Sequence, residues 1–264
     1  MQPEFPGHDE GSAALAGRKR RWRFGITLAL LFAGTAGLAA SAAGVSAQLL
    51  PRKFTAAQQQ KIMNWEAARR WRVLSAGKIF PADINYQLPA AVLEADAGLP
   101  LKAYRVGISP QTSCALASDP AAARVLSAGH CSAMLRATYA DETDSMLVTV
   151  GVAVMPSASA ARSAAGALSA GHGLHPGIRS VAFRGTLSAS FGNRQRQLSW
   201  ATSKGLYLIL STAGYADGRP EVPVSSDTYV AQEMTSLANG VADAVGAPLG
   251  ALPPVPKCPG APGC

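Results

Sequence analysis

The longest apolar stretch of the chain covers residues 24–50, a run of 27 positions without an ionisable side chain. A helix rises about 1.5 Å per residue, so roughly 20 residues cross a hydrocarbon core about 30 Å thick. The pattern therefore predicts a transmembrane helix over residues 24–50. The small residues Val45, Ser46 and Ala47 also have the form that signal peptidase cuts, so a signal peptide cleaved after Ala47 is the alternative.

A second pattern, in residues 51–78, predicts a basic juxtamembrane helix from Thr55 to Gly77. Good helix formers fill it, and a partial stripe at helical spacing joins Ile62, Trp65, Ala67, Trp71 and Leu74. Two interpretations remain open. In one, Trp65 and Trp71 lie at the outer membrane interface and arginines contact anionic headgroups. In the other, the helix is a stalk whose stripe packs on its own domain or on a second copy.

Residues 79–247 alternate short apolar runs with turn formers, which is typical of one globular domain with its own core. The runs predict the order β-α-β-β-α-β-β-β-α, preceded by an extended segment. Strands are expected at 101–108, 133–140, 146–155, 181–191, 195–202 and 206–212, and helices at 113–128, 157–170 and 226–245. This order predicts an α+β fold, an antiparallel sheet with helices on one face.

The tetrapeptide Leu-Ser-Ala-Gly occurs three times, each time where an expected helix stops. The spacings differ and the flanking residues do not match, which disfavours an internal repeat. We interpret Gly77, Gly129 and Gly171 as left-handed residues that end helices, each followed by a cationic or imidazole side chain near the negative helix end.

Charge separates the chain into unlike parts. The net charge is +8, yet residues 79–264 hold twelve basic and twelve acidic side chains. Residues 52–78 hold seven basic side chains and one acidic side chain. The basicity therefore belongs to the segments that flank the apolar stretch, and nucleic-acid binding by the domain loses its main support.

The orientation of the predicted anchor does not follow from charge alone. Basic residues within about 20 positions of the apolar stretch are equal in number on its two sides. Long following domains are exported largely regardless of charge, and cysteines favour an oxidising compartment. We therefore expect a cytoplasmic N-terminus and an extracytoplasmic domain. The residues expected at the cytoplasmic membrane edge are Arg18, Lys19, Arg20, Arg21 and Arg23.

Neither end of the chain has the pattern of a packed core. Residues 1–23 begin with a stretch rich in Gly, Ala and acidic residues, and they predict a disordered cytoplasmic tail. Residues 248–264 are rich in Pro and Gly and predict an extended tail. The folded part is thus expected to end near residue 247.

Four cysteines follow the apolar stretch. Cys114 and Cys131 bracket the first expected helix of the domain, and a bridge between them would close a loop of about 17 residues and add roughly 3 kcal/mol. Such a bridge suits an exported domain. Cys258 and Cys264 lie in the C-terminal tail and either close a small ring or bridge to another chain. A zinc site is the rival interpretation, but the spacings are not those of a finger or ribbon.

A search for catalytic and metal-binding motifs is mostly negative. No nucleophile elbow, zinc-protease, P-loop or dinucleotide fingerprint occurs. His172 and His175 share a glycine-rich loop without a nearby carboxylate, which indicates a surface connection. His130 would lower the pKa of a free Cys131 thiol, but the disulfide interpretation is preferred. The acidic run at 141–144 indicates a solvated hairpin tip, with weak Ca²⁺ binding as the alternative. We predict no cofactor and no metal.

One stretch of the domain carries a resemblance to known proteins. It runs from Cys114 to Met155 and contains both domain cysteines, Arg136-Ala137-Thr138-Tyr139 and Val148-Thr149-Val150-Gly151-Val152. It resembles the small α+β extracytoplasmic domains of single-pass envelope proteins from high-GC Gram-positive bacteria, including sensor domains of some receptor serine/threonine kinases. The resemblance covers about a sixth of the chain. Because no kinase domain precedes the apolar stretch, it implies a ligand-binding or assembly module without its own output enzyme.

Two hypotheses from different functional classes follow. The preferred one is a non-enzymatic module, anchored in the bilayer, that binds an envelope ligand or a protein partner or associates with itself. The alternative is an exported hydrolase with an unrecognised site, released by cleavage after Ala47.

Overall fold

The computed structural model describes residues 53–88, 100–169, 174–222, 229–251 and 254–255. Residues 58–255 belong to one compact unit, and outside it the structure describes only residues 53–57. The tail predicted at 1–23 and the transmembrane helix predicted at 24–50 lie outside the described residues. Within the described part of the chain, no helix has both the length and the apolar composition needed to cross a membrane.

The centre of the unit is a six-stranded antiparallel sheet with the strand order β1-β2-β3-β4-β6-β5. The strands are β1 (Asp83–Tyr86), β2 (Leu101–Ser109), β3 (Ala133–Asp141), β4 (Met146–Val154), β5 (Arg196–Lys204) and β6 (Tyr207–Tyr215). The helices are α1 (Ala56–Val73), α2 (Ala76–Ile79), α3 (Pro120–Ala128), α4 (Ala158–Leu168) and α5 (Tyr229–Gly250). The predicted α+β class and antiparallel sheet are confirmed.

Both faces of the sheet are covered, and the prediction of helices on one face is wrong. All nine residues of β4 are buried, without the polar alternation of a strand that has one solvated face. Val150 and Val152 share a core with Val241 of α5. Ala153 faces the other way and shares a second core with Leu126 of α3 and Ala161 of α4. We call these sides the α5 face and the α3–α4 face.

The strand predicted at 181–191 is also wrong. In its place, a crossing segment, residues 177–183, runs over the α3–α4 face from β5 to β2. It begins beside Ser199 of β5 and ends with the ring of Phe183 over Gly107 of β2. A Cβ on Gly107 would come within 2.6 Å of that ring, so the glycine makes room for the segment.

Two arginines of the sheet hydrogen-bond to carbonyl groups of the crossing segment. Arg196 Nη1 donates to the carbonyl of Ile178 at 2.5 Å, and Arg136 Nη1 donates to the carbonyl of Arg179 at 3.1 Å. Both arginines are buried. Because buried backbone carbonyls need donors, these side chains supply what a neighbouring strand would otherwise provide.

Two threonines extend this support towards the middle of the sheet. Thr138 of β3 and Thr149 of β4 are register partners, and both are fully buried. Thr138 Oγ1 donates to the carbonyl of Val181 at 2.7 Å, while the N–H of Val181 donates to Thr149 Oγ1 at 3.0 Å. Polar residues within apolar strands thus hold the crossing segment in place.

The starts of two helices follow local sequence rules. The helix predicted at 113–128, with Asp119-Pro120 as the alternative start, begins at Pro120, whose missing N–H costs nothing in a first turn. Residues 114–117 form turns instead. Helix α4 begins after Ser157 as predicted, because the Ser157 hydroxyl accepts the N–H of Ala160 at 3.1 Å.

Two of the three glycines predicted to end helices, Gly77 and Gly129, do not act in that way. The predicted juxtamembrane helix is interrupted at residues 74–75, and Gly77 lies inside α2. Gly129 has φ −80°, whereas the next residue, His130, is left-handed at φ 55°. Gly129 serves packing instead, since a Cβ there would come within 2.5 Å of Met155 Cε. Gly171 lies outside the described residues.

Candidate functional site

The exposed side of α1 carries basic and aromatic side chains. Trp65 is 58% exposed, and the guanidinium carbon of Arg69 lies 4.1 Å from the centre of its indole ring. Lys61 and Arg72 are exposed too, at helical spacings that place them on the same side. We call these four residues the basic–aromatic face. Glu66, the single acidic residue of α1, lies off this face and pairs with Arg70.

The opposite side of α1 docks on the domain. Trp71 and Leu74 pack against the core of the α5 face. The hydroxyl of Tyr207, a residue 1% exposed, donates to the carbonyl of Ala67 at 2.6 Å and accepts the N–H of Trp71 at 3.3 Å. The hydroxyl therefore inserts between an i and i+4 pair of the helix backbone. Burial raises the pKa of Tyr207, which keeps this hydroxyl protonated.

A second anchor joins α1 to the end of α5. Arg70 Nη1 donates to the carbonyls of Pro248 at 3.2 Å and Leu249 at 3.4 Å, and also to the carbonyl of Ala251. The last carbonyls of a helix lack intrahelical donors and form its negative end, so a guanidinium is well suited to cap them. Helix α5 accordingly runs beyond its predicted end, and the tail predicted at 248–264 starts later.

An open groove of about 590 Å³ lies between α1 and the end of α5. Its apolar lining includes Val73, which is 68% exposed. The lining residues are Trp65, Glu66, Arg69, Arg70, Val73, Leu74 and Pro248. Arg70 bonds to carbonyls and pairs with Glu66, so Arg69 is the lining cation that is left to interact with a ligand. An exposed tryptophan, an exposed valine and an arginine in one concave surface suit an apolar group with an anionic end.

The residues predicted at the membrane interface have different outcomes. Trp71 packs against the core, so the structure supports the interpretation that α1 packs on its own domain. Trp65 stays exposed, and its role at a membrane remains a prediction. The basic residues of the N-terminal cluster, Arg18, Lys19, Arg20, Arg21 and Arg23, lie outside the described residues.

The predicted bridge between Cys114 and Cys131 is confirmed, with an S–S distance of 2.08 Å and a Cα–Cα distance of 6.3 Å. Both cysteines pack against the core of the α3–α4 face. The disulfide leaves no thiol at Cys131 for His130 to activate. Cys258 and Cys264 lie outside the described residues, so their pairing stays a prediction.

The acidic run at 141–144 holds a hairpin together. Asp141 is 1% exposed, so it is not part of a solvated tip. Its Oδ1 accepts the backbone N–H groups of Ser145 and Met146 at 2.8 and 2.7 Å, and its Oδ2 accepts the hydroxyls of Ser145 and Thr143. Asp144 is left-handed at φ 57°. The Asp141 carboxylate thus completes the β3–β4 turn.

Among the described residues, the remaining candidates from the sequence are not brought together at one site. His172 lies outside the described residues, and His175 has a buried Nε2 without a hydrogen-bond partner there. In the described ranges, no group of three His, Cys, Asp or Glu side chains is arranged to hold a metal ion. Asp119, the carboxylate nearest in sequence to α3, binds Arg196 at 2.8 Å and the N–H of Gly177 at 3.1 Å.

The contacts that hold α1 on the domain were not predicted from the sequence. Tyr207 and Pro248 lie more than 130 positions from the residues of α1 that they contact. No periodicity within α1 encodes such partners. The available signal was the basic helix itself, with arginines on more than one side.

Comparison of the chain with protein-family models, with curated proteins and with solved structures produced no match. The resemblance to extracytoplasmic domains of envelope proteins therefore stays a prediction.

Proposed function

We propose that this chain is a single-pass, membrane-anchored module with a cytoplasmic N-terminus and an extracytoplasmic domain. The module binds an envelope ligand or a protein partner and carries out no catalysis. The observation that carries the proposal is the groove between α1 and the end of α5, where Trp65 and Val73 stay exposed beside Arg69.

Two further observations support this role. The Cys114–Cys131 bridge suits an oxidising compartment outside the cytoplasm. Tyr207 and Arg70 hold α1 on the domain, so the groove has a fixed wall rather than a loose stalk. A wall that is ordered before binding lowers the entropy cost of association.

The experiment that tests binding places a photo-crosslinking amino acid at Val73 in the full-length protein in its native membrane. Val222 is the matched control, because it is 44% exposed and does not line the groove. We expect a discrete adduct from position 73 and none from position 222, identified by mass spectrometry. Equal adducts from both positions, or none from either, would refute a binding role for the groove.

Two companion measurements test topology and the absence of catalysis. A reporter that is active only in the cytoplasm, fused after Cys264, should be silent; an active reporter reverses the proposed orientation. Hydrolase-directed probes should label the purified protein no more than heat-denatured protein. Specific labelling that one substitution abolishes would instead favour the exported hydrolase.

A further inference from the structure

Two buried arginines on the α3–α4 face differ in one respect. Arg136 and Arg196 are each 6% exposed, and each donates through Nη1 to a carbonyl of the crossing segment. Arg196 also forms an ion pair with Asp119 at 2.8 Å. Arg136 takes part in none of the ion pairs between described residues, which are Glu66–Arg70, Asp119–Arg196, Lys204–Asp243 and Asp217–Arg219.

The guanidinium of Arg136 has one edge left over. Its Nη1 is used by the carbonyl of Arg179, while its Nε is buried and has no hydrogen-bond partner in the described part of the chain. No hydrogen bond or ion pair between described residues uses Nη2. The Nε and Nη2 donors point the same way, and together they form the fork that binds the two oxygens of a carboxylate or phosphate.

The surroundings of Arg136 add positive rather than negative charge. Burial, and secondarily the charge of Arg179, lower the pKa of Arg136. Gly151, its register partner on β4, has no side chain of its own, and the apolar side chains of Met134 and Ile178 lie over it. Ser109, its register partner on β2, contributes a neutral hydroxyl. A buried cation without a counter-charge is unfavourable, and an anion at the free edge would relieve that cost.

We propose that the Nε–Nη2 edge of Arg136, with Arg179 beside it, binds one small oxyanion, a carboxylate or a phosphate group. The anion would serve Arg136 as Asp119 serves Arg196, as the counter-ion of a buried guanidinium, although Asp119 contacts Arg196 through Nη2 alone and leaves Arg196 Nε without a partner among the described residues. This site lies on the α3–α4 face and is separate from the groove at α1. The anion site does not depend on the proposed anchor or on the proposed partner.

The test is calorimetric titration of the purified protein with sodium acetate and separately with sodium phosphate at constant ionic strength. We expect saturable binding of one anion per chain. Saturation by acetate alone assigns the site to carboxylates, and saturation by phosphate alone assigns it to phosphoryl groups. No saturable binding of either anion overturns the proposal.

Variants decide whether Arg136 is the ligand. Arg136→Lys keeps the charge but loses the pair of parallel N–H donors. We expect about tenfold weaker binding, which corresponds to the loss of one charge-assisted hydrogen bond. Arg124→Lys, at an exposed position of α3, is the matched control and should bind as the wild type does. Equal affinity in Arg136→Lys and the wild type overturns the proposal.

A second variant covers the case in which Arg136→Lys does not fold. Arg179→Gln keeps the backbone carbonyl that Arg136 uses but removes the neighbouring positive charge. We expect weaker binding of the same anion by this variant, with a smaller loss at high salt because screening already weakens the charge. Unchanged affinity in Arg179→Gln would count against the site.

Discussion

Asp141 shows how one buried carboxylate influences another residue at a distance along the chain. It completes the β3–β4 turn through backbone N–H groups and is 1% exposed. Burial, and secondarily the negative charge of Asp141, raise the pKa of Glu233 in α5. The folded protein therefore disfavours the ionised form of Glu233 relative to the unfolded chain.

This shift predicts a pH-dependent effect of Glu233→Gln. Ionisation of Glu233 lowers the free energy of unfolding. This loss is absent below the unfolded pKa of about 4.3, grows as the pH rises towards the raised folded pKa, and is complete above that folded pKa. The variant should therefore unfold at a higher temperature than the wild type near pH 7 and at the same temperature in acid. Thermal unfolding across pH measures this. Glu142→Gln, at an exposed position of the hairpin tip, is the control and should show no such trend.

At the scale of elements, the docking of α1 depends on contacts that its own sequence does not display. The Tyr207 hydroxyl bonds to Ala67 and Trp71, and Arg70 caps the end of α5. Helix α1 has no buried residue of its own. Its attachment therefore relies on a few hydrogen bonds and on partly buried side chains.

Tyr207→Phe should loosen α1 without unfolding the domain. The loss of two hydrogen bonds, one of them long, predicts a destabilisation of about 1 kcal/mol. Hydrogen exchange should become faster at the amides of α1 and stay unchanged in β3 and β4. Tyr104→Phe, at a side chain 47% exposed, is the matched control. Equal acceleration throughout the domain would contradict a local docking role for the hydroxyl.

Local pattern predicted some elements well and others badly. Strands β3 and β4 were placed within one residue of their bounds, because two apolar runs flank a short polar turn. The run Met146–Val154 also carried the signal that both faces are covered, since it lacks polar alternation. The region 181–191 was predicted as a strand, but Val181 bonds to the side chains of Thr138 and Thr149, and Leu187–Ser190 forms a short 3-10 helix. No local pattern reveals Thr138 and Thr149 as partners.

The candidate site was predictable only in part. Basic and aromatic residues at helical spacing identified α1 as a special segment, and Trp65 is exposed as an interface residue would be. Pro248 lines the groove, but the sequence analysis predicted that Pro248 belongs to an extended tail. The unpaired state of Arg136 depends on which residues the register brings beside it, and that information appears only in the assembled sheet.

At the scale of the whole molecule, the disulfide links the region before α3 to the start of β3. It closes a loop with a sequence separation of 17 residues. In the chain-entropy model such a bridge stabilises the folded state by roughly 3 kcal/mol. Because Cys114 and Cys131 pack against the core of the α3–α4 face, the bridge also fixes where that layer begins.

Reduction should therefore lower the melting temperature of the whole domain. The melting temperature of the wild type in reductant should equal that of the double variant Cys114→Ser, Cys131→Ser. Reductant should not change the melting temperature of that variant. The measurement is thermal unfolding with and without reductant. Cys258→Ser combined with Cys264→Ser supplies the background, so that tail thiols do not contribute. A wild-type melting temperature that ignores reductant would contradict the stabilising role of the bridge.

The crossing segment has a consequence for the order of folding. Its partners Arg136, Thr138 and Thr149 precede it in the chain, whereas Arg196 follows it. The segment has its full set of partners only after β3, β4 and β5 have come together, and contacts of that kind form late because loop closure must precede them. Substitutions in residues 177–183 should accordingly speed unfolding more than they slow folding. The crossing segment should therefore influence the lifetime of the folded domain more than the rate of folding.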